Sequence, residues 1–342
     1  MAHVTIQDLA DRLGLSKFSV SRALSGKAGV SEATRNRVLR AAHAMGYRGS
    51  HELAPTTGQI LFIRQEIDPV SSELWLNIMH GAEREGERLG FAILPRQARY
   101  LLENPQLDPS IVGIILAAPR PGEIADMAIR SGLPVASASY VRPFDAIDQV
   151  VGSDWETGLA VAEYLLKLGH RHLAFVRGKS WPIGRQERFR GFCDGTAKAG
   201  VEVAHIAFDE KTGFREAFLD HAHAAGGATA LFCAHDGIAV TVISELLRMG
   251  VRVPEDISVV GFNDLSVASQ VSPKLTTMRQ PMVAMGAATV RCIADRIAGL
   301  DGMAPPPLRI SLLTELVERE STGPAGDKSW VGRVLKLARQ VG

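Results

Sequence analysis

The stretch VTIQDLADRLGLSKFSVSRAL, residues 4–24, decides how the amino-terminal segment folds. Apolar residues recur at helical spacing on both sides of Gly14, a residue that tolerates the dihedral angles of a tight turn. The stretch therefore predicts two short helices joined by a turn, with Thr5 and Ser16 as the residues that cap their starts. On the second helix, four residues lie outside the apolar face: Lys17, Phe18, Ser21 and Arg22.

These four side chains suit the major groove of DNA. Arginine and lysine donate hydrogen bonds to guanine, an apolar side chain meets the methyl group of thymine, and serine binds phosphate. Residues 1–48 contain eight basic and three acidic side chains, whereas the net charge of the whole chain is only +1. A small helical domain with a solvated surface would account for the charge alone. The tight turn and the polar second helix together favour a DNA-reading domain.

Six motifs extend this pattern to residue 47: VTIxDLA at 4–10, GLS at 14–16, VSRALSG at 20–26, VS at 30–31, TRxRV at 34–38 and MGY at 45–47. They resemble the headpiece of the lactose-repressor (LacI/GalR) family of bacterial transcription regulators. The resemblance implies a helix-turn-helix headpiece, a core that binds a small-molecule effector, and a dimer on a near-palindromic DNA operator. It places Lys17, Phe18 and Arg22 at base-reading positions. It also implies four phosphate-facing positions: Thr5, Ser16, Ser21 and Ser31.

A third headpiece helix is predicted at about 31–44, and residues 49–59 form a linker to the core. Gly49 and Ser50 stand where the family has a Pro-Asn pair, and no Ala-Arg-x-Leu pattern follows. In the family, the leucine of that pattern wedges into the minor groove of the operator. Leu53 is the candidate for this role here, and a flexible tether without a hinge helix remains the alternative.

From residue 60 onward, short apolar runs alternate with helical patterns, which predicts α/β lobes built on parallel sheets. Motifs here resemble the core of the same family, which is related to periplasmic sugar-binding proteins: LGHRHLAF at 168–175, RFRGF at 188–192, VPEDISVVGFND at 253–264, LTTMRQP at 275–281 and TELVERES at 314–321. The predicted fold is therefore an all-α helix-turn-helix headpiece followed by a two-lobed, periplasmic-binding-protein-like α/β core at 60–322. The predicted lobes are 60–147 with 278–305, and 148–277 with 306–322.

The tail, residues 323–342, contains apolar residues at helical spacing from Trp330 onward, which predicts an amphipathic helix. Packing of this helix on its own core is one interpretation, and a helix that joins two dimers into a tetramer is another. A tail that lies on a membrane surface or stays disordered is the third.

Effector pockets in two-lobed α/β proteins lie between the lobes, at the carboxyl ends of the strands. By the family pattern, Arg188 binds hydroxyl or carboxylate groups of the effector, and Asn263 follows a strand where the family often has Asp. Asp264 and Asp236 are candidates that alternatively cap nearby turns or helices. His235 stands where the family has Asn and is a candidate to contact the effector, which would make binding sensitive to pH near neutrality. The remaining candidates are Asp154, where the family tends to have Asn, and two loop aromatics for which core packing is the alternative, Phe208 and Trp181.

Other classes of protein are less consistent with the sequence. No G-x-G-x-x-G after the first strand, P-loop or G-x-S-x-G motif occurs, so an enzyme with an appended DNA-binding module is the alternative function rather than the leading one. The three cysteines are far apart, so we expect no zinc site, and we expect no cofactor and no catalytic residues. The sequence shows neither a signal peptide nor a membrane-spanning run, which opposes a transport-type sugar-binding protein and favours the cytoplasm.

Overall fold

The computed structural model describes nine ranges of the chain: 4–24, 29–45, 58–64, 72–117, 122–140, 145–179, 181–209, 213–299 and 306–341. Residues 49–57 of the predicted linker, including the candidate wedge Leu53, lie outside these ranges. No helix in them is long and apolar enough to cross a bilayer.

The headpiece consists of helices α1 (Ile6–Leu13), α2 (Lys17–Leu24) and α3 (Glu32–Ala44). Thr5 caps α1 together with Asp8, because the Asp8 amide donates to the Thr5 hydroxyl and the Asp8 carboxylate accepts from the Thr5 amide. Gly14 ends α1 with a φ of +63°, in the left-handed region that the tight turn requires. The three helices enclose a small core made by Leu9, Ala10, Val20, Ala23, Val38 and Ala42.

The core of the protein contains two six-stranded sheets. Lobe 1 carries the sheet with strand order β11-β5-β4-β3-β1-β2. Its strands are β1 (Gly58–Arg64), β2 (Phe91–Gln97), β3 (Ile111–Ala117), β4 (Val135–Ser137), β5 (Asp148–Gly152) and β11 (Arg309–Leu312). Its helices are α4 (Ser72–Leu89), α5 (Arg99–Glu103), α6 (Glu123–Arg130) and α12 (Met282–Ala298).

Lobe 2 carries the sheet with strand order β12-β10-β9-β8-β6-β7, in which only β12 runs antiparallel to its neighbour. Its strands are β6 (Leu173–Arg177), β7 (Val203–Ala207), β8 (Ala230–Cys233), β9 (Ser258–Asn263), β10 (Thr276–Arg279) and β12 (Glu315–Val317). Its helices are α7 (Asp154–Lys167), α8 (Ile183–Ala197), α9 (Gly213–Ala225), α10 (Asp236–Arg248), α11 (Val267–Gln270) and α13 (Ser329–Val341).

The predicted division of the chain between the lobes was wrong at three places. β5 pairs with β4, and β11 pairs with β5, so both strands complete the sheet of lobe 1 rather than that of lobe 2. The predicted boundary at residue 278 falls inside β10, which belongs to the sheet of lobe 2. The chain therefore crosses between lobes three times, at 152–154, 279–282 and 312–315. Strand alternation alone does not reveal these crossings, because a strand carries no local signal for the sheet that it joins.

The tail helix α13 packs on lobe 2. Trp330 is completely buried, and its ring stacks on Phe218 at 5.2 Å between centroids. Val334 joins the same core cluster, and Arg333 donates a hydrogen bond of 2.8 Å to Asp256. Of the three interpretations of the tail, this structure agrees with packing on the chain's own core.

Candidate functional site

Helix α2 presents the predicted base-reading side chains on one surface. Lys17 and Ser21 are exposed, and the Phe18 side chain is 67% exposed, which is unusual for an aromatic side chain in a small domain. The Arg22 guanidinium lies 5.1 Å from the centre of the Phe18 ring. A cation and an aromatic ring are thus held together on the outer face of the second helix.

Three of the four predicted phosphate-facing residues also act as helix caps. The Thr5 hydroxyl caps α1, as described above. The Ser16 hydroxyl accepts from the Ser19 amide at 3.1 Å, and the Ser31 hydroxyl accepts from the Thr34 amide at 3.2 Å. These hydroxyls therefore lie at helix amino termini, where the dipole favours an anion.

In the core, Asp154 and Arg188 form a buried ion pair, here called the cleft pair. Arg188 Nε lies 3.1 Å from Asp154 Oδ1, and Arg188 is 6% exposed. Arg188 Nη1 donates to the carbonyl of Ala234 at 2.9 Å, and its guanidinium lies 3.5 Å from the centre of the Phe262 ring. Arg188 is in the second turn of α8, which begins at Ile183. Such a pair needs partners for both charges, since a lone buried charge is costly.

Glycine explains why the two helices that carry the cleft pair approach so closely. A Cβ atom at Gly191 in α8 would lie 2.0 Å from the carbonyl oxygen of Trp155 in α7. A Cβ atom at Gly158 in α7 would lie 2.3 Å from the carbonyl oxygen of Arg188. The glycine of the R-x-x-G motif thus permits the backbone contact that brings Arg188 to Asp154.

Burial and charge act in opposite directions on Asp154. Burial raises the pKa of Asp154 to about 6, although the neighbouring Arg188 guanidinium and the nearby Tyr140 side chain lower it. Burial also lowers the pKa of Arg188. At neutral pH the cleft pair is therefore ionised and carries no net charge.

Tyr140 is a residue of this site that the sequence did not reveal. It follows β4 of lobe 1, yet its ring lies near the start of α8 in lobe 2. A Cβ atom at Gly184 would be 3.4 Å from the Tyr140 ring and 2.7 Å from Asp154 Oδ2. The Arg309 guanidinium lies 5.8 Å from the centre of the Tyr140 ring. Burial raises the pKa of Tyr140, so its hydroxyl stays protonated. No motif marked this position, because the sequence resembles the family only weakly in this part of lobe 1.

His235 lies beside the cleft pair but acts as the amino-terminal cap of α10. Its Nδ1 accepts from the Ile238 amide at 3.4 Å, so the neutral ring carries its proton on Nε2. Burial, with Arg185 and Arg188 nearby, lowers the pKa of His235 to about 3. The prediction that His235 makes binding pH-sensitive near neutrality was wrong, because the ring is already neutral there.

Replacing His235 with asparagine is expected to reduce the loss of stability in acid. The unfolded chain binds a proton on His235 below its ordinary pKa of 6.5, whereas the folded protein does so only near pH 3. Stability from this group is therefore complete above pH 6.5 and decreases as pH falls from 6.5 towards 3, by about 2 kcal/mol at pH 5. Asparagine keeps the cap and does not titrate. Urea unfolding at pH 7.5 and pH 5 measures the unfolding free energy of the wild type and of His235→Asn. If both proteins lose the same unfolding free energy between the two pH values, the prediction is wrong.

Asp236 and Asp264 are held by protein groups. Asp236 is completely buried and accepts from the Thr277 hydroxyl at 2.6 Å and from the Leu265 amide at 2.7 Å. Burial raises the pKa of Asp236 to about 7. Asp264 accepts from Arg279 at 2.8 Å and from Arg319 at 2.7 Å. Both carboxylates thus fix the segment that follows β9.

Asn263 and Asp264 line a different space from the cleft pair. An open pocket of about 760 Å³ lies beside the crossing at 279–282, and its wall includes these two residues but not Arg188. Residues of both lobes form it, with α4 and α12 on one side and the ends of β9 and β10 on the other. Five of the predicted effector residues therefore fall into two groups: the buried cleft pair with His235, and the pocket with Asn263 and Asp264.

The two candidate loop aromatics pack within lobe 2. Trp181 contacts the rings of Phe175, at 5.9 Å, and His205, at 5.4 Å, and the Arg177 guanidinium lies 4.7 Å from its centre. Phe208 packs edge-on against Phe214 at 5.7 Å. The structure thus agrees with the core-packing alternative for both side chains.

Comparison with known proteins agrees with this architecture. A family model described as bacterial regulatory proteins, lacI family, matches residues 5–50, and a periplasmic binding protein-like domain model matches residues 162–322. The transcriptional regulator DegA of Bacillus subtilis is 28% identical over 340 residues, which covers 94% of this chain and 98% of DegA.

Two solved structures share the fold. A complex of the transcriptional regulator CelR with cellobiose is 25% identical and has a TM-score of 0.68, covering 93% of this chain and all of that one. The lac repressor dimer bound to operator and the anti-inducer ONPF is 20% identical and has a TM-score of 0.64, covering 94% of this chain and all of that one.

A helix-turn-helix headpiece joined to a two-lobed, periplasmic-binding-protein-like core defines a DNA-binding transcriptional regulator. The chain combines a DNA-binding domain of the lacI family of bacterial regulatory proteins, at residues 5–50, with a periplasmic binding protein-like domain at residues 162–322.

Proposed function

We propose that the chain is a repressor that binds a near-palindromic operator as a homodimer and reads bases through Lys17, Phe18 and Arg22. The observation that carries this proposal is the outer face of α2, where the exposed Phe18 ring and the Arg22 guanidinium lie side by side. The hydroxyls at the helix starts, with exposed Ser21, would bind the phosphates and fix the register. The lac repressor dimer on its operator, with the same fold, supports the dimeric assembly. Because its target is chromosomal DNA, the regulator acts in the cytoplasm.

The proposed effector is a neutral sugar or related polyol. The cleft pair has no net charge, so an additional carboxylate or phosphate near it would meet Asp154 as well as Arg188. Hydroxyl groups avoid this conflict, because each one donates to a carboxylate and accepts from a guanidinium. The cellobiose complex of CelR supports this class of ligand. Both charged groups of the cleft pair are committed to each other, so we propose binding rather than catalysis as the role of this site.

Effector binding is proposed to shift the lobes between two arrangements and thereby change the spacing of the two headpieces in the dimer. The crossing at 152–154 ends at Asp154 of the cleft pair, and the crossing at 279–282 lines the pocket together with Asn263 and Asp264. These two residues would contact the effector or sense the change in the crossing segments.

Replacing Arg22 with alanine is expected to weaken binding to the preferred operator by about 1–3 kcal/mol and to relax specificity at one base pair. Fragments selected from genomic DNA by the wild-type protein, and variants of the best fragment, provide the sites for gel-shift titration. Arg40→Ala is the matched control, because it removes one exposed positive charge from α3. It should weaken binding equally on all sequences.

If Arg22→Ala behaves like Arg40→Ala on every sequence, then Arg22 contributes only charge. If no genomic fragment binds the wild-type protein specifically at moderate salt, the proposed function itself is wrong.

A further inference from the structure

A glutamate of lobe 1 holds the segment that follows β9 in lobe 2. The Ser266 amide donates a hydrogen bond of 2.9 Å to Glu73 Oε1, and the Ser266 hydroxyl donates one of 2.7 Å to Glu73 Oε2. Both oxygens of this carboxylate therefore bind one residue of the other lobe. Glu73 lies in the first turn of α4 and Ser266 directly precedes α11, so this contact is separate from the three chain crossings.

The backbone just before Ser266 has an unusual conformation. Asn263 and Asp264, two consecutive residues with a Cβ atom, have φ values of +114° and +56°. In the described ranges, they are the only residues other than glycine with a positive φ. Left-handed dihedral angles are costly for such residues and persist only where the surrounding structure holds them. Residues 263–266, here called the 263–266 turn, therefore depend on the contacts around them.

Contacts from both lobes hold the 263–266 turn. Lobe 2 holds it through the ion pairs of Asp264 and through the hydrogen bond from the Leu265 amide to Asp236. Lobe 1 buries the Leu265 side chain, which is 5% exposed, in its own hydrophobic core with residues of β1, α4 and α12. Glu73 binds the next amide along the chain. A change in the relative position of the lobes must therefore break the glutamate contact or alter the dihedral angles of the turn.

Glu73 also lies near the pocket that Asn263 lines. On α4 it precedes Asn77 by one helical turn, and Asn77 belongs to the wall that faces the ends of β9 and β10. Asn263 is 9% exposed, and its side-chain amide can both donate and accept hydrogen bonds. The direction of this amide depends on the backbone of the 263–266 turn. Lobe 1 thus fixes a group that lobe 2 presents to the pocket.

We propose that Glu73 is a positioning residue for effector binding, because through Ser266 it fixes the turn that aims Asn263 into the pocket. This inference rests on the proposed role of Asn263 as an effector contact. Glu73 acts through Ser266, to which both of its oxygens are bound, rather than on the effector itself. The coupling is reciprocal: a ligand that binds Asn263 stabilises the turn and with it the contact between the lobes.

Glu73→Ala and Ser266→Ala test the contact from its two sides. Hydrogen exchange of the full-length protein, read on peptides within 258–270, needs no ligand. Exchange should be about three- to tenfold faster in Glu73→Ala, because this variant loses both hydrogen bonds to the carboxylate. Ser266→Ala keeps the amide bond and should show a smaller increase. The double variant should exchange no faster than Glu73→Ala alone, because both substitutions remove the same contact.

Two control variants accompany this measurement. Glu83→Ala removes another glutamate of α4, one that is exposed, and should leave the exchange of 258–270 unchanged. Ser266→Thr keeps a hydroxyl and should exchange like the wild type. If Glu73→Ala also exchanges like the wild type, Glu73 does not fix the turn and the proposal is wrong. This result would not affect the proposed function, which depends on the headpiece and the cleft pair.

Titration calorimetry with cellobiose, maltose and ribose separates positioning from a purely structural role. For any probe that binds the wild type, the Kd for Glu73→Ala should be about three- to tenfold higher, because Asn263 is no longer held in place. In an Asn263→Ala background, Glu73→Ala should leave the Kd unchanged, because no amide remains to be positioned.

An unchanged or lower Kd in Glu73→Ala overturns the proposal. So does an equal increase in the presence and absence of the Asn263 amide, since Glu73 would then act by another route. If Asn263→Ala alone leaves the Kd unchanged, the proposed role of Asn263 fails, and this proposal fails with it. If none of the three sugars binds, the sugar-effector part of the proposed function fails, and hydrogen exchange alone decides whether Glu73 fixes the turn.

Discussion

Arg188→Ala is expected to abolish the response of operator binding to the effector and to destabilise the core by about 3–5 kcal/mol. The physical reason is that the Asp154 carboxylate would stay buried at the start of α7 with its cationic partner removed. The same substitution deletes the guanidinium that packs on Phe262 and binds the carbonyl of Ala234. The measurements are urea unfolding of the core and gel-shift titration of the operator with and without cellobiose, maltose and ribose.

A second variant separates the loss of response from the loss of stability. Replacing both members of the cleft pair, as Asp154→Asn with Arg188→Met, removes both buried charges and should recover most of the unfolding free energy. The effector response should remain absent, while the headpiece still binds the operator. A double variant that responds normally would remove the cleft pair from the effector site.

Arg190→Ala is the control for Arg188→Ala, because it removes another arginine of the same helix, α8. Arg190 is exposed, and its contacts are ion pairs at 3.6 Å with Glu187 and 3.9 Å with Asp194. Exposed pairs of this kind contribute about 0–1 kcal/mol, so this variant should keep both stability and response. If Arg190→Ala is as damaging as Arg188→Ala, the effect belongs to helix α8 in general rather than to the buried pair.

Local sequence patterns predicted most of the architecture. The spacing around Gly14 predicted the two helices of the headpiece, and apolar runs such as 60–63 predicted the parallel strands. These features depend on residues that are neighbours in the chain, where periodicity and caps act directly. The division between the lobes depends on pairing between distant segments, as in β5 with β4, and no local pattern carries that information.

The candidate site was predictable only where its residues belong to a local sequence motif. Arg188 and Asp154 lie at positions that the family pattern marks, and the structure brings them together. Tyr140 was missed because it approaches the site from a segment of lobe 1 that contains no recognisable motif. Asp236 was a candidate for effector binding because it follows β8, at the carboxyl end of a strand. In three dimensions the Thr277 hydroxyl and the Leu265 amide occupy its two oxygens.

Trp330→Ala is expected to destabilise lobe 2 by about 3–5 kcal/mol, the usual cost of removing a large buried aromatic side chain. The ring is completely buried, is stacked on Phe218 with an interplanar angle of 15°, and packs against the backbone at Gly227. Trp330→Phe keeps an aromatic ring against Phe218 and should lose much less stability. Urea unfolding followed by circular dichroism measures both variants.

The same pair of variants distinguishes a packed tail from a tetramer helix. A tail that packs on its own core lowers the stability of lobe 2 when Trp330 is truncated, and the size of the assembly in analytical ultracentrifugation stays the same. If the tail helix instead joins two dimers, Trp330→Ala should dissociate the tetramer into dimers. The unfolding free energy of the dimer would then stay unchanged. Because Trp330 stacks on Phe218 of its own chain and Arg333 is paired with Asp256, we expect the first result.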